Sequence, residues 1–151
     1  MTPSRERMAA TIKLYYDACN SADAEKMVAC FTPDAVHYFP KGAPQGTFVG
    51  ARAIAAGWRA AVERLDSRWT IDELVIDEIA SQAAIEWTHW KPNQRVHLRG
   101  TEICKFDPDG RISEIRAYYA APAKDPPAVH ELGDFDYRSR GYPLVAPAVD
   151  R

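Results

Sequence analysis

The sequence predicts an α+β domain in which a curved, mostly antiparallel β-sheet wraps around N-terminal helices, and two observations predict it. Met8, Ile12, Tyr15 and Cys19, and later Ile54, Trp58, Ala61, Val62 and Leu65, recur at three- and four-residue spacing, the pattern of helices with one buried face. From residue 81 to 121, β-branched and aromatic residues instead recur at a period near two in three successive runs, 84–90, 96–106 and 111–119. Helices first and strands last is an order in which a sheet can cover its own helices.

Each element has local support. Thr2 can cap the first helix, and Pro3 suits its first turn, where a missing N–H leaves nothing unpaired. Asn20-Ser21-Ala22-Asp23 breaks it, and Asp23 can cap a second, short helix carrying Met27, Val28 and Phe31, which Thr32-Pro33-Asp34 ends. Residues 35–39 form a short strand stopped by the turn formers of 40–46. A third helix runs over about 51–65, and a strand over 67–77 has Trp69, Ile71 and Val75 among its apolar positions. Lys91-Pro92-Asn93-Gln94 and Asp107-Pro108-Asp109-Gly110 close the two hairpins that join the last three strands. After residue 121, Pro122, Pro126, Pro127, Pro143 and Pro147 exclude long regular elements. Phe135, Tyr137 and Tyr142 nevertheless make the tail too aromatic for pure disorder. The chain therefore divides into a domain at 1–121 and a tail at 122–151 expected to pack on that domain or on a neighbouring subunit.

Composition narrows the function. At 151 residues the chain is one domain, and a formal charge of −2 with dispersed Lys and Arg gives no nucleic-acid-binding face. Three widely spaced cysteines, Cys19, Cys30 and Cys104, with no Cys-x-x-Cys pair, read as buried thiols of a reducing cytoplasm. No apolar run reaches membrane-spanning length and no signal-peptide core is present, so a soluble cytoplasmic protein is expected. The chain has no internal repeat and no low-complexity segment.

Function is expected where polar residues stand inside the late strands: His89, Arg99, Glu102 and Arg116. On period-two bookkeeping, an inward Glu102 brings Leu98, Gly100, Cys104 and Phe106 inward with it and sends Arg99 to the opposite face. A buried Glu102 without a cation needs a hydrogen-bond partner or a proton, and desolvation makes it a hydrogen-bonding acid or a base poised nearer neutrality. Metal is not expected: His37, His89, His97 and His130 show no ligand spacing, and no phosphate loop or nucleophile elbow occurs.

The run Phe106-Asp107-Pro108-Asp109-Gly110-Arg111-Ile112-Ser113-Glu114-Ile115-Arg116-Ala117-Tyr118-Tyr119, with Ser21-Ala22-Asp23 and Phe31-Thr32-Pro33-Asp34-Ala35-Val36, resembles the nuclear-transport-factor-2-like superfamily. The resemblance is to its ketosteroid-isomerase and polyketide-cyclase (SnoaL-type) branches and covers roughly residues 7–121. It implies a cone-shaped barrel and a scaffold that hosts isomerases, dehydratases, cyclases, hydrolases and silent binding modules. It places Tyr15 where ketosteroid isomerases keep an oxyanion-donating tyrosine, Glu102 where they keep a protonated aspartate, and Tyr119 at an aromatic pocket wall. Their general-base aspartate corresponds to Phe39, so steroid isomerisation by that route is not expected. Aligning the third of the long strands as the family implies turns Ile85, Trp87 and His89 inward and Glu86, Thr88 and Trp90 outward, and an inward Phe39 brings His37 with it. An outward tryptophan there suggests a homo-oligomer, dimer or trimer, formed through the outer face of the sheet, the alternative being that the tail covers it.

The expected site is thus an apolar cavity walled by Phe39, Trp58, Trp69, Trp87 and Tyr119, with Tyr15, His37, His89 and Glu102 as its polar groups. Such a cavity fits a cofactor-independent lyase or isomerase acting on a small apolar, aromatic or polycyclic substrate. In it His89 or His37 moves a proton, Glu102 is the second acid/base and Tyr15 holds an oxyanion. The alternative is a small-molecule-binding or assembly module that keeps the cavity without chemistry.

Overall fold

The computed structural model describes residues 1–119, 132–142, 144–145 and 148. The first helix, α1 (Arg5–Asn20), is capped by Ser4, whose Oγ accepts from the Arg7 N–H at 3.2 Å, so the cap falls two residues later than Thr2. Its stripe of Met8, Ile12, Tyr15, Tyr16 and Cys19 is buried, and that burial, rather than intrinsic propensity, stabilises a helix of this length. Asp23 caps α2 (Ala24–Ala29) through the Lys26 N–H at 3.1 Å.

Strand β1 (Phe31–Tyr38) starts earlier than its sequence indicates. Phe31 pairs with Ile112 and Val36 with Glu114, so Thr32-Pro33-Asp34 ride out an irregularity inside the strand instead of preceding it. The two-residue β2 (Phe48–Val49) leads into α3 (Ala51–Leu65). Gly50 turns the chain at φ 94°, a conformation that favours glycine, and its N–H donates to the Ala35 carbonyl at 2.7 Å.

Four long strands follow: β3 (Arg68–Asp77), β4 (Gln82–Lys91), β5 (Val96–Phe106) and β6 (Ile112–Tyr118). The sheet order is β2-β1-β6-β5-β4-β3, antiparallel except for the parallel β1–β6 pair. The sheet is mixed and does not close: β2 and β3 are its two edges, so the barrel expected from the resemblance is an open sheet with the helices on its inner face.

A bulge in β3 corrects the reading of that strand. Ile71 pairs with Trp87 and Glu73 with Glu86, leaving Asp72 as an extra residue. The extra residue reverses the parity beyond it, so Ile76 is buried and Val75 is 60% exposed. Asp72 is held in the bulge by Thr70 Oγ1 at 2.9 Å and Thr88 Oγ1 at 2.6 Å. On the outer face Arg99 donates to Thr88 Oγ1 at 3.0 Å, so Thr88 points outward yet is fully covered, while Trp90 stays 39% exposed.

The boundary expected at 121/122, and all five tail prolines, lie outside the described residues. The segment 132–142 packs across the outer face of β1 and β6. Phe135 meets the Tyr38 ring edge-on at 5.1 Å, and Arg140 lies 4.1 Å over Phe135 while donating to both oxygens of Glu114. Leu132 bridges to Pro40, and the Gly133 N–H donates to the Phe39 carbonyl at 2.8 Å. No helix among the described residues is long and apolar enough to cross a membrane.

Candidate active site

The helices and the inner face of the sheet enclose a cavity of about 590 Å³. Its walls are aromatic because each supporting element contributes one face of apolar rings. Trp58 of α3 packs edge-on against Trp69 of β3 at 5.4 Å and against Phe39 at 5.6 Å, and Trp87 of β4 meets Tyr119 at 5.6 Å. Gly100 makes the last contact possible, since a Cβ there would stand 2.7 Å from the Trp87 ring and 2.9 Å from Tyr119. Gln45, from the loop after Phe39, donates to the Tyr119 hydroxyl at 3.0 Å and lines the cavity with Pro44.

Glu102 projects into this apolar space from the middle of β5 and is 5% exposed. The hydroxyl of Tyr16 donates to its Oε1 at 3.0 Å. Burial disfavours the carboxylate and pushes its pKa up to about 7, with the Tyr16 hydrogen bond acting weakly in the other direction. Arg99, Lys105 and Arg116 are all on the outer face, where Arg99 pairs with Asp72, and Lys105 and Arg116 with Glu114.

Beside this pair stands Tyr15, whose ring crosses that of Tyr16 at 5.6 Å. Its hydroxyl accepts from Trp58 Nε1 at 2.7 Å, which leaves the Tyr15 proton for another acceptor. Desolvation raises the pKa of both tyrosines, so both remain protonated donors at neutral pH.

The two histidines are held differently. His37 is 1% exposed, stacks on Phe39 at 4.1 Å, and its Nδ1 bonds to the Tyr38 carbonyl at 3.3 Å. Its Nδ1 must therefore carry the proton, since the carbonyl only accepts. His89 stacks on Trp69 at 4.6 Å, and its Nε2 shares a hydrogen bond with Ser67 Oγ at 2.8 Å. Burial lowers the pKa of His37 to about 3, and burial together with Lys91 lowers that of His89 to about 4, so both are neutral imidazoles at pH 7.

All nine residues expected at the site line the cavity: Tyr15, His37, Phe39, Trp58, Trp69, Trp87, His89, Glu102 and Tyr119. They do not form one cluster. Glu102 pairs with Ile85 across β4–β5 and His89 with Leu98, so the two lie four residues apart along the strands, about 13 Å. Trp58 and Trp69 separate His37 from His89. The polar partner of Glu102 is Tyr16, which the sequence reading missed although Tyr16 continues the four-residue stripe of Met8 and Ile12. Ser67, the partner of His89, was likewise not singled out.

Among the described residues no group of three or more His, Cys, Asp or Glu is placed to hold a metal ion, and Cys19, Cys30 and Cys104 are buried free thiols. None of the curated proteins matches the chain. Among solved structures, a protein of unknown function with a cystatin-like fold from Methylobium petroleophilum PM1 is 55% identical, with all of both chains covered and a TM-score of 0.93. Two more distant structures share the fold. A candidate polyketide cyclase from Xanthomonas campestris pv. campestris is 20% identical, covering 77% of this chain and 92% of that one, with a TM-score of 0.61. An LEH-like epoxide hydrolase from M. tuberculosis is 21% identical, covering 78% and 86%, with a TM-score of 0.65. Residues 12–115 match the SnoaL-like domain family, a span that holds Tyr16, Glu102 and every strand but the end of β6, and the chain belongs to that family.

Proposed function

We propose that the chain is a cofactor-independent lyase or isomerase that moves a proton on a small, mostly apolar, aromatic or polycyclic substrate. The observation that carries this reading is the Tyr16–Glu102 pair, a carboxyl poised near pH 7 inside an apolar cavity. A group with a pKa near the working pH is populated in both states and transfers protons in either direction. A carboxyl buried only for packing would have no need of a cavity beside it.

In the proposed reaction, ionised Glu102 takes a proton from a carbon next to a carbonyl. The C–H electron pair forms a carbon–carbon double bond and the carbonyl π pair moves to the oxygen, where the Tyr15 hydroxyl donates a hydrogen bond to the developing oxyanion. Trp58 Nε1 fixes the Tyr15 oxygen, and Tyr16 fixes the carboxylate. The proton then returns from Glu102 to a neighbouring carbon, moving a double bond, or to a departing hydroxyl, completing a dehydration. The neutral histidines are proposed as hydrogen-bonding partners for substrate, with His89 working from the opposite end of the cavity. The candidate cyclase and the epoxide hydrolase of the same fold are consistent with proton-transfer chemistry on this scaffold.

The test is a thermal-shift screen against aromatic ketones, phenolic diols, steroids and polyketide fragments, each hit being followed for a mass or absorbance change. The reading expects at least one hit to be converted by wild type and bound but not converted by Glu102→Gln, with Tyr16→Phe shifting the pH profile of conversion. Tight binding of hits with conversion of none would refute it and leave a binding module.

A further inference from the structure

Three residues lining the cavity carry full charges or readily acquire them: Glu102 toward its buried end, and Arg64 and Lys91. Arg64 lies in the last turn of α3, on the same stripe as Trp58 and Ala61, and is exposed. Lys91 ends β4 two residues beyond His89, so it shares the inward parity of Trp87 and His89, and is half-buried. The fold brings the two elements together, since α3 packs against the turn Pro92–Gln94 that follows Lys91. Neither cation makes an ion pair with a described residue, as is true also of Arg5, Arg7, Lys13, Lys41, Arg95 and Arg138, but only Arg64 and Lys91 of these line the cavity.

A cation at a rim is ordinarily just solvated. Here two of them, on separate elements, line a cavity in which Glu102 is the only carboxyl among the described residues, with tryptophan rings along the same walls. An uncharged apolar substrate would be served equally well by an uncharged rim. Lys91 stands six residues along β4 from Ile85, the cross-strand partner of Glu102, which is about 20 Å. Side chains stand roughly perpendicular to the sheet, so the two head groups lie at most about 20 Å apart and can meet only opposite ends of one ligand.

We propose that the substrate is amphipathic, an aromatic or polycyclic body bearing a carboxylate, with its anion held between Arg64 and Lys91 and its far end at Tyr16–Glu102. The proposal rests on the cavity being the ligand site, as the preceding section holds. Arg64 offers a planar fork that matches a carboxylate, and Lys91 a mobile point charge, so the anion is both attracted and oriented. Recognition and proton transfer then occupy opposite ends of one cavity, and the anchored end fixes which ring carbon meets Glu102.

Fluorescence titration of the full chain with 2-anthracenecarboxylate and with 2-anthracenemethanol, its neutral counterpart, tests this. Wild type is expected to bind the acid about tenfold more tightly at low salt, with the advantage shrinking at high salt. The double variant Arg64→Gln/Lys91→Gln is expected to bind both probes with the affinity of the alcohol, and each single variant to lose part of the preference. Equal affinities in wild type, binding of neither probe, or a preference that survives the double substitution would overturn the proposal. Turnover does not enter these readings. A protein without acid–base activity would still discriminate acid from alcohol, and an active enzyme without discrimination would refute only the anion site.

Discussion

Glu102 should make stability depend on pH in a direction opposite to ordinary acid denaturation, and Glu102→Gln should remove that dependence. The Glu102 pKa rises from 4.5 to about 7 on folding because the carboxyl is desolvated. Below pH 4.5 it is protonated in both states. Between 4.5 and 7 the unfolded chain releases its proton while the folded chain keeps it, so folding stability falls as pH rises and levels off above about 7. A displacement of this size corresponds to about 3 kcal/mol, accumulated across that window. His37 and His89 act with the opposite sign: their folded pKa values, about 3 and about 4, lie below the ordinary 6.5, so they withdraw stability as pH falls below 6.5.

Comparison of the two proteins separates these effects, because the histidines are common to both and cancel in the difference. The absolute stability of the glutamine variant is not the readout. Its amide adds two buried donors that Tyr16 cannot satisfy, an offset of roughly 1–3 kcal/mol that does not vary with pH. Urea unfolding at half-unit steps from pH 4.5 to 8 should show wild type losing about 3 kcal/mol relative to Glu102→Gln, most of it between pH 5 and 7. A difference that stays flat within about 0.5 kcal/mol would mean that Glu102 is as well solvated in the folded chain as in the unfolded one. The desolvation argument, and with it the poised carboxyl, would then fail.

Two further outcomes follow from local contacts. Gly57→Ala gains about 1 kcal/mol of helix propensity in α3. Its Cβ, however, would stand 2.3 Å from the Phe48 ring, and forcing that ring aside should leave a net loss of about 1–2 kcal/mol in chemical denaturation. Arg140→Ala removes the stack on Phe135 and both bonds to Glu114, and should release 132–142 before the rest of the fold opens. Hydrogen exchange at the Gly133 amide, which is bonded to the Phe39 carbonyl, should accelerate at least tenfold while β5 amides keep their protection.

Much of this architecture is legible in the sequence because its longest elements are uninterrupted. Helix α3 keeps its stripe from Ile54 to Leu65, and β5 keeps period two from Val96 to Phe106, so both are read with their observed bounds. Legibility ends where pairing, rather than local pattern, decides. Asp72 is indistinguishable in sequence from any other strand aspartate, and only the β4 partner makes it an insertion that turns Val75 outward. Thr32-Pro33-Asp34 reads as a helix terminus because turn formers dominate it, and it becomes strand only because β6 lies alongside. Tyr15 and Tyr16 occupy the same broad buried stripe of α1, and which hydroxyl reaches Glu102 depends on the distance across to β5, which periodicity does not contain. Arg64 and Lys91 are unremarkable charges in sequence, 27 positions apart, until α3 and the end of β4 meet.

Parity along strands explains both the success and the limit of the site prediction. It sorts side chains between two faces, and it correctly separates Glu102 from Arg99 and His89 from Trp90. It says nothing about position along the face. An inner surface made by ten-residue strands is about 33 Å long, several times the reach of any proton transfer. His89 and Glu102 satisfy the same parity rule yet cannot act on one bond together, so the polar groups of this cavity must divide their work by depth. The group with a pKa near neutrality lies deep, next to two buried hydroxyls, where water is least able to compete for a proton. The permanent cations lie at the exposed end, where a charged ligand can enter without being fully desolvated first. That gradient, from solvated charge to buried titratable group, orients an amphipathic molecule before any chemistry begins.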